Sequence, residues 1–199
     1  TDKALRGSVI MVAQERAIEP IKDWLLELEE WDGVHRIEPF FQNVLNAKTP
    51  AGCEELMVEL SCKWFISCVA RVMQPGCKMD TCLVLVGSKG MRKSTALKLL
   101  AGEEWFSDSN INISHKDSYE LLHQSGVWIW ELAEMHALQG KTAANAKQFL
   151  TSASDRYRPA YAKMPIQRQR RTVFTASTND YQFLSDGPER RFWIVDITK

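Results

Sequence analysis

Residues 83–95 read Leu-Val-Leu-Val-Gly-Ser-Lys-Gly-Met-Arg-Lys-Ser-Thr. An apolar strand runs into a glycine-containing loop, and Lys-Ser-Thr then opens a helical pattern. That is the layout of a phosphate loop, G-x-x-x-x-G-K-[ST]. It runs from Gly87 through Ser88, Lys89, Gly90, Met91 and Arg92 to Lys93, Ser94 and Thr95. The chemistry it suits is recognition of ATP. Backbone N–H groups at a helix N-terminus surround phosphate oxygens. Lys93 would reach the β- and γ-phosphates, and the Ser94 hydroxyl would bind Mg²⁺. Arg92 stands where the second glycine belongs. Glycine lets the backbone approach the phosphates closely. Arginine must either turn its side chain away, which leaves binding intact, or meet the phosphates itself, which adds charge or obstructs the pocket. Taken alone, the segment is also explained by a strand–turn–helix that happens to begin with Lys-Ser-Thr.

Three further segments carry matching chemistry. Val127-Trp128-Ile129-Trp130-Glu131-Leu132-Ala133-Glu134 is an apolar strand that ends in a carboxylate, with another three residues on. Such acids hold the Mg²⁺ shell or polarise an attacking water. Glu131 is assigned the metal side and Glu134 the other role, though the two are interchangeable at this level. Thr172 to Asn179 is an apolar strand with a polar tip, and the Asn179 amide could orient water or touch a γ-phosphate. A simple Asn-Asp turn accounts for it equally. Arg190 and Arg191 precede the apolar run Phe192–Ile197. Paired guanidinium groups suit phosphate, in cis or supplied to a neighbouring subunit, and they also suit a solvated pair beside Glu189.

The elements that position these groups follow from periodicity. Ile18, Ile21, Leu25, Leu26 and Leu28 around Pro20 predict a short amphipathic helix, and Asp32-Gly33 predicts a turn. A second short helix is expected over 37–45. A long one is expected over about 52–73, with Leu56, Leu60, Trp64, Cys68 and Val72 repeating every four residues until Pro75-Gly76. Strands and helices then alternate: strand 82–86, helix 93–101, strand 127–130, helices within 131–152, strands 172–176 and 192–197. That alternation predicts an α/β domain with a parallel sheet. The division is a helical N-terminal region, 1–76, and an α/β core, 77–199.

Composition narrows the class. The 199 residues carry 25 basic and 25 acidic side chains, so an overall basic nucleic-acid wrapper and an acidic disordered tail are both excluded. No apolar run approaches a membrane span. The five cysteines, at 53, 62, 68, 77 and 82, lack C-x2-C spacing and read as small buried thiols of a reducing cytosol. Trp24, Trp31, Trp64 and Trp105 read as packing residues. His35, His115, His123 and His136 read as surface or capping residues, and Ser114-x-x-Asp117 as a helix start. The first residue is not Met, and the chain stops just after an apolar run, so a piece of a longer protein is expected.

These blocks, in this order, resemble the virulence-associated E family of phage and genomic-island proteins. The resemblance covers about 20–197. It includes Trp31-Asp32-Gly33-Val34-His35-Arg36, Pro75 to Asp80, Gly87 to Thr95, Trp105 to Asp108 and Trp128 to Glu134. It continues through Asp155 to Tyr161, Ser177-Thr178-Asn179 and Arg190-Arg191-Phe192-Trp193. It implies a P-loop ATPase core of the AAA+ class, related to superfamily 3 helicases. Lys93 and Ser94 would take the Walker A roles, Glu131 and Glu134 the Walker B region, Asn179 the sensor, and Arg190 or Arg191 the arginine finger. ATP and Mg²⁺ are the implied cofactors. The implied protein is a replication helicase or primase-associated motor in the cytoplasm of a bacterial host. It would work as an oligomer, a hexameric ring, on single-stranded DNA, beside a primase domain or partner. The competing expectation, motivated by Arg92, is a fold that binds DNA or assembles without turnover. A small-molecule kinase is a third expectation, disfavoured by the basic segment described next.

Between Asp155 and Arg171 lie Arg156, Arg158, Lys163, Arg168, Arg170 and Arg171, with Tyr157 and Tyr161 interleaved. Pro159 and Pro165 argue against a long helix, so two short strands with a turn near Lys163 are expected. Related helicases use such a hairpin to grip single-stranded DNA, with cations for phosphates and aromatics for stacking. Lys163, Arg168 and Arg170 are the candidate contacts. Replacing Lys163 and Arg168 by alanine is expected to weaken single-strand binding and flatten its salt dependence. Unchanged affinity and slope would remove the hairpin from the DNA interface.

Overall fold

Five successive buried residues, Cys82–Val86 (β1), form a strand covered on both faces, which is why they read as a continuous apolar run rather than an alternation. The computed structural model describes residues 19–111, 117–133, 147–159, 164–180 and 190–197. Two units are present, 1–30 and 31–199. In the first, the described helix is Pro20–Leu26 (α1), with proline in its first turn, where a missing N–H costs nothing.

The second unit opens on the Asp-Gly turn. Asp32 accepts both Arg36 terminal nitrogens, at 2.8 and 2.7 Å, and the Val34 N–H. These bonds, the Arg36 pair foremost, bring the Asp32 carboxyl down to about 2. Two helices follow, Phe40–Asn43 (α2) and Glu54–Met73 (α3). After β1 come α4 (Lys93–Ala101), a 3₁₀ turn at Glu103–Trp105, β2 (Phe106–Ser107), α5 (Asp117–Gln124) and β3 (Ile129–Ala133). Residues 147–151 are helical. Then come β4 (Ser154–Tyr157), β5 (Ile166–Gln169), β6 (Val173–Thr178) and β7 (Phe192–Asp196).

Five strands form one sheet in the order β2-β3-β6-β1-β7, and every pairing in it is parallel. The mixed α/β architecture with a parallel, helix-flanked sheet is as expected. One face of the sheet buries Cys82, Val84, Val86, Trp130, Phe174 and Ala176 against Leu122 of α5 and Phe149 and Leu150. The other face carries Leu83, Leu85, Ile129, Glu131, Val173 and Thr175, all essentially fully buried.

The chain divides between residues 30 and 31. The long helix belongs with the sheet. It buries Met57, Ser61, Trp64, Cys68 and Val72, and Trp128 Nε1 donates to the Cys68 carbonyl at 2.9 Å. The chain beside α2 is tied in as well: Ala47 bridges Ile197, and Lys48 N–H reaches Asp196 O at 2.7 Å. Two strands also shift. β3 continues to Ala133, so Glu131 lies mid-strand rather than at the tip. β6 continues to Thr178, because it pairs with β3 as far as Ser177 and with β1 as far as Thr178. Of the five thiols, Cys68 and Cys82 are buried and the other three partly so, none in a disulfide. Burial pushes the Cys82 thiol up to about 12. Among the described residues no helix is long and apolar enough to cross a membrane.

β4 and β5 form the expected antiparallel hairpin, apart from the main sheet. Its root is held by a buried ionic cluster. Asp155 accepts Arg170 Nε and a terminal nitrogen, both at 2.6 Å, and lies 2.9 Å from His123 Nε2. Arg170 also donates to the Phe149 carbonyl and lies over the rings of Phe149 and Phe174, at 4.3 and 5.6 Å. His123, expected at the surface or in a cap, stacks on Tyr157 at 5.5 Å. Burial pushes the Asp155 carboxyl up, but His123 and Arg170 outweigh it and the net shift is downward.

A carboxyl held low in the folded chain contributes stability that is present above its unfolded pKa, near ~4, and is lost as pH falls below it. Asp155→Ala should lower unfolding stability by about 3–5 kcal/mol, since it leaves Arg170 buried and uncompensated. Asp155→Asn should lose that acid-side slope. Denaturant titrations between pH 3 and 7, on the order of the relevant range, check both.

Candidate phosphate-binding site

The site forms at the C-terminal end of β1. Gly87 is buried with φ 157°. Its N–H reaches the Thr178 carbonyl at 3.1 Å, and Ile197 N–H reaches the Val86 carbonyl at 2.8 Å. A Cβ on Gly87 would stand 2.7 Å from the Ile197 carbonyl oxygen, so the backbone at Ile197 leaves room for glycine alone. Ser88, Lys89 and Gly90 are exposed, and Met91 partly so. The loop then closes on Arg92, at φ 57° and ψ 29°, the left-handed region that glycine occupies freely. The Arg92 side chain is exposed. The backbone shape a glycine would give is therefore kept, at the cost of strain.

Lys93 starts α4 and folds back over the loop. Its Nζ donates to the carbonyls of Gly87 and Ser88 at 2.7 and 3.1 Å. Burial lowers the Lys93 pKa, partly offset by the charge of Glu131. No side chain caps α4, so its first N–H groups remain open at the helix's positive end. Ser94 Oγ donates to Glu131 Oε1 at 2.9 Å. Glu131 is 0% exposed, and its other oxygen, Oε2, is buried with no partner.

Asn179 is exposed directly beyond Thr178, the residue whose carbonyl holds Gly87. β6 thus delivers it beside the loop. Thr95, one residue past the motif, lies exposed in the first turn of α4. Arg190 and Arg191 lie elsewhere. The Arg191 carbonyl accepts Cys82 N–H at 2.7 Å, and β7 runs parallel to β1 with Phe192 opposite Cys82. The two arginines therefore flank the start of β1, while the loop follows its end, roughly 13 Å of strand away.

Arg168 is exposed on the hairpin, as are Arg156 and Arg158. Arg170 is not. At 1% exposure and doubly bonded to Asp155, it is withdrawn from the candidate DNA contacts. Glu134 and Lys163 lie outside the described residues. The sequence reading missed Thr175, register partner of Glu131, whose hydroxyl is buried without a partner. The one signal for it was a hydroxyl inside the apolar run Val173-Phe174-Thr175-Ala176.

The architecture and site define a mixed α/β domain in which a Lys-Ser helix start, beyond the C-terminal end of one strand of a parallel sheet, meets a buried glutamate in the middle of another. The chain belongs to the virulence-associated protein E-like domain family, which matches residues 25–199. Its fold is similar to the apo structures of the NrS-1 C-terminal region, 305–718. One gives a TM-score of 0.55 at 16% identity, covering 87% of this chain and 41% of that one. The A form gives 0.53 at 17% identity, covering 88% and 40%. This chain thus spans about two-fifths of those structures. No curated protein sequence matches it.

Arg92→Gly should remove a left-handed strain of about 1–2 kcal/mol and add about 0.4–1 kcal/mol of unfolded-chain entropy. A net gain of about 0.5–1 kcal/mol in unfolding free energy is expected, read from the shift in denaturation midpoint.

Proposed function

We propose that this domain binds ATP with Mg²⁺ and hydrolyses it, as the motor core of a phage-type DNA replication helicase or primase-associated protein. In this reading it is a P-loop ATPase core of the AAA+, superfamily 3 type. The observation that carries the proposal is Glu131: a fully buried carboxylate with one oxygen on Ser94 and the other without a partner. Leaving a buried carboxylate oxygen unpaired is costly. The cost is understandable if a ligand completes the set.

The residues present fit Mg²⁺. A serine hydroxyl and a carboxylate are hard oxygen donors, and this ion needs few protein ligands because it keeps several waters. When bound, Mg²⁺ would neutralise charge on the β- and γ-phosphate oxygens. The chain supplies the rest. The open N–H groups of α4 and the loop receive phosphate oxygens. Lys93 exchanges the Gly87 and Ser88 carbonyls for phosphate. Asn179 orients water or senses the γ-phosphate, and Glu134 stands as the second acid.

Arg190 and Arg191 sit too far from their own loop to serve it, so in this reading one of them acts on a neighbour's nucleotide. That requires an oligomer, for which a hexameric ring is the proposed form. The exposed arginines of the hairpin, with Lys163, would hold single-stranded DNA. Family membership supports a replication role, and the proposed setting is the cytoplasm of a bacterial host, beside a primase domain or partner.

The second reading is a domain that binds DNA or assembles without turnover. Arg92 motivates it. The left-handed backbone at Arg92 favours the first reading, because the loop keeps there the conformation a glycine would adopt.

DNA-stimulated ATP hydrolysis by the full-length protein tests the choice. Turnover that Lys93→Ala abolishes is expected. Absence of turnover in the wild type, regained in Arg92→Gly, would favour the non-hydrolysing module instead.

A further inference from the structure

The Thr175 hydroxyl has no structural reason to be where it is. Thr175 is 0% exposed, and its Oγ1 has no hydrogen-bond partner. Its strand neighbours Val173, Phe174 and Ala176 are apolar and buried. Valine has almost the same shape and would fill this position without burying an unsatisfied donor.

The position explains what packing does not. Thr175 is the register partner of Glu131 on the adjacent parallel strand. Register partners share a face of the sheet, on strands about 4.8 Å apart. Glu131 Oε2 is also buried and unpaired. An ionised carboxylate only accepts, and a hydroxyl both donates and accepts. The other orphaned atoms among the described residues, on Gln42, Thr49, Trp64 and Arg71, all lie outside the sheet, and Glu131 and Thr175 are the two that face each other across it. A water brought in with a bound cation and shared between the two would satisfy both at once.

We propose that Thr175 is a positioning residue for the Mg²⁺ site: its hydroxyl fixes a water of the metal's shell against Glu131. It touches neither nucleotide nor metal and acts through that water. The assignment rests on the nucleotide reading above. Outer-shell partners of this kind change metal affinity by roughly 10–100-fold when removed.

The test compares wild type, Thr175→Val and Thr175→Ser in two measurements. The first is thermal unfolding without nucleotide or metal. The second is ATP affinity across a Mg²⁺ titration, with a metal-free control. Thr175→Val should melt higher than wild type in the first, since it removes an orphaned hydroxyl. In the second it should need about tenfold more Mg²⁺ to reach full ATP affinity. Its metal-free affinity should match wild type, and Thr175→Ser should restore the wild-type Mg²⁺ requirement. Thr175→Ala supplies the same Mg²⁺ comparison if the valine variant fails to fold. A wild-type Mg²⁺ requirement in the valine and alanine variants would overturn the role of Thr175 alone. A wild type that binds no ATP with or without Mg²⁺ would overturn the nucleotide reading and this assignment with it, and one that binds ATP indifferently to Mg²⁺ would overturn this assignment alone.

Discussion

A carboxylate in the middle of an apolar sheet constrains everything around it. Glu131 sits on β3 with no exposure, between two paired strands. Its one made bond is to Ser94, the second residue of α4. That bond fixes where α4 begins, above β3 and across β6 from the strand that feeds it. The chain must then cross from the end of β1 to that point in six residues, 87–92. So short a loop has to turn sharply at both ends. It does so at Gly87, where a side chain would strike Ile197, and at Arg92, which accepts a left-handed backbone. The glycine and the strained arginine follow from the position of Glu131.

The hairpin root offers the instructive contrast. Asp155 is buried too, yet both its oxygens are engaged, and its main partner Arg170 is sandwiched by two rings and bonded to a carbonyl. A network satisfied in that way rigidifies a structure. It fastens the hairpin to α5, to the 147–151 helix and, through Phe174, to β6. Glu131 is half satisfied. Two buried carboxylates in one domain thus have opposite characters, and the number of unfilled lone pairs tells them apart. The first is closed within the fold, and the second keeps one buried oxygen without a partner.

This distinction was not legible in the sequence. Strand 82–86, helix 93–101 and the hairpin were, because local periodicity and the glycines and prolines determine them. Arg168 and Arg170 look alike in a row of cations. They differ because Arg170 meets Asp155 from fifteen residues away and Phe149 from twenty-one, and no local pattern carries those distances. Glu131 was read at a strand tip because the apolar run stops there. Pairing with β6 carries the ladder two residues further, to Ala133. The long helix was placed in a separate region because it precedes the change in texture. Its attachment rests on Trp128, sixty residues along the chain from Cys68.

The cations of the chain are sorted by burial and by sheet direction rather than by count. A parallel sheet has a polarity: all its loops of one kind emerge at one end. Lys93 follows β1 and is at that end, while Arg190 and Arg191 precede β7 and are at the other. No side-chain movement reverses that order, since the register from Cys82–Phe192 to Val86–Asp196 is locked along the whole strand. Within one chain, the direction of two parallel strands therefore keeps this arginine pair at the opposite end of the sheet from the lysine loop.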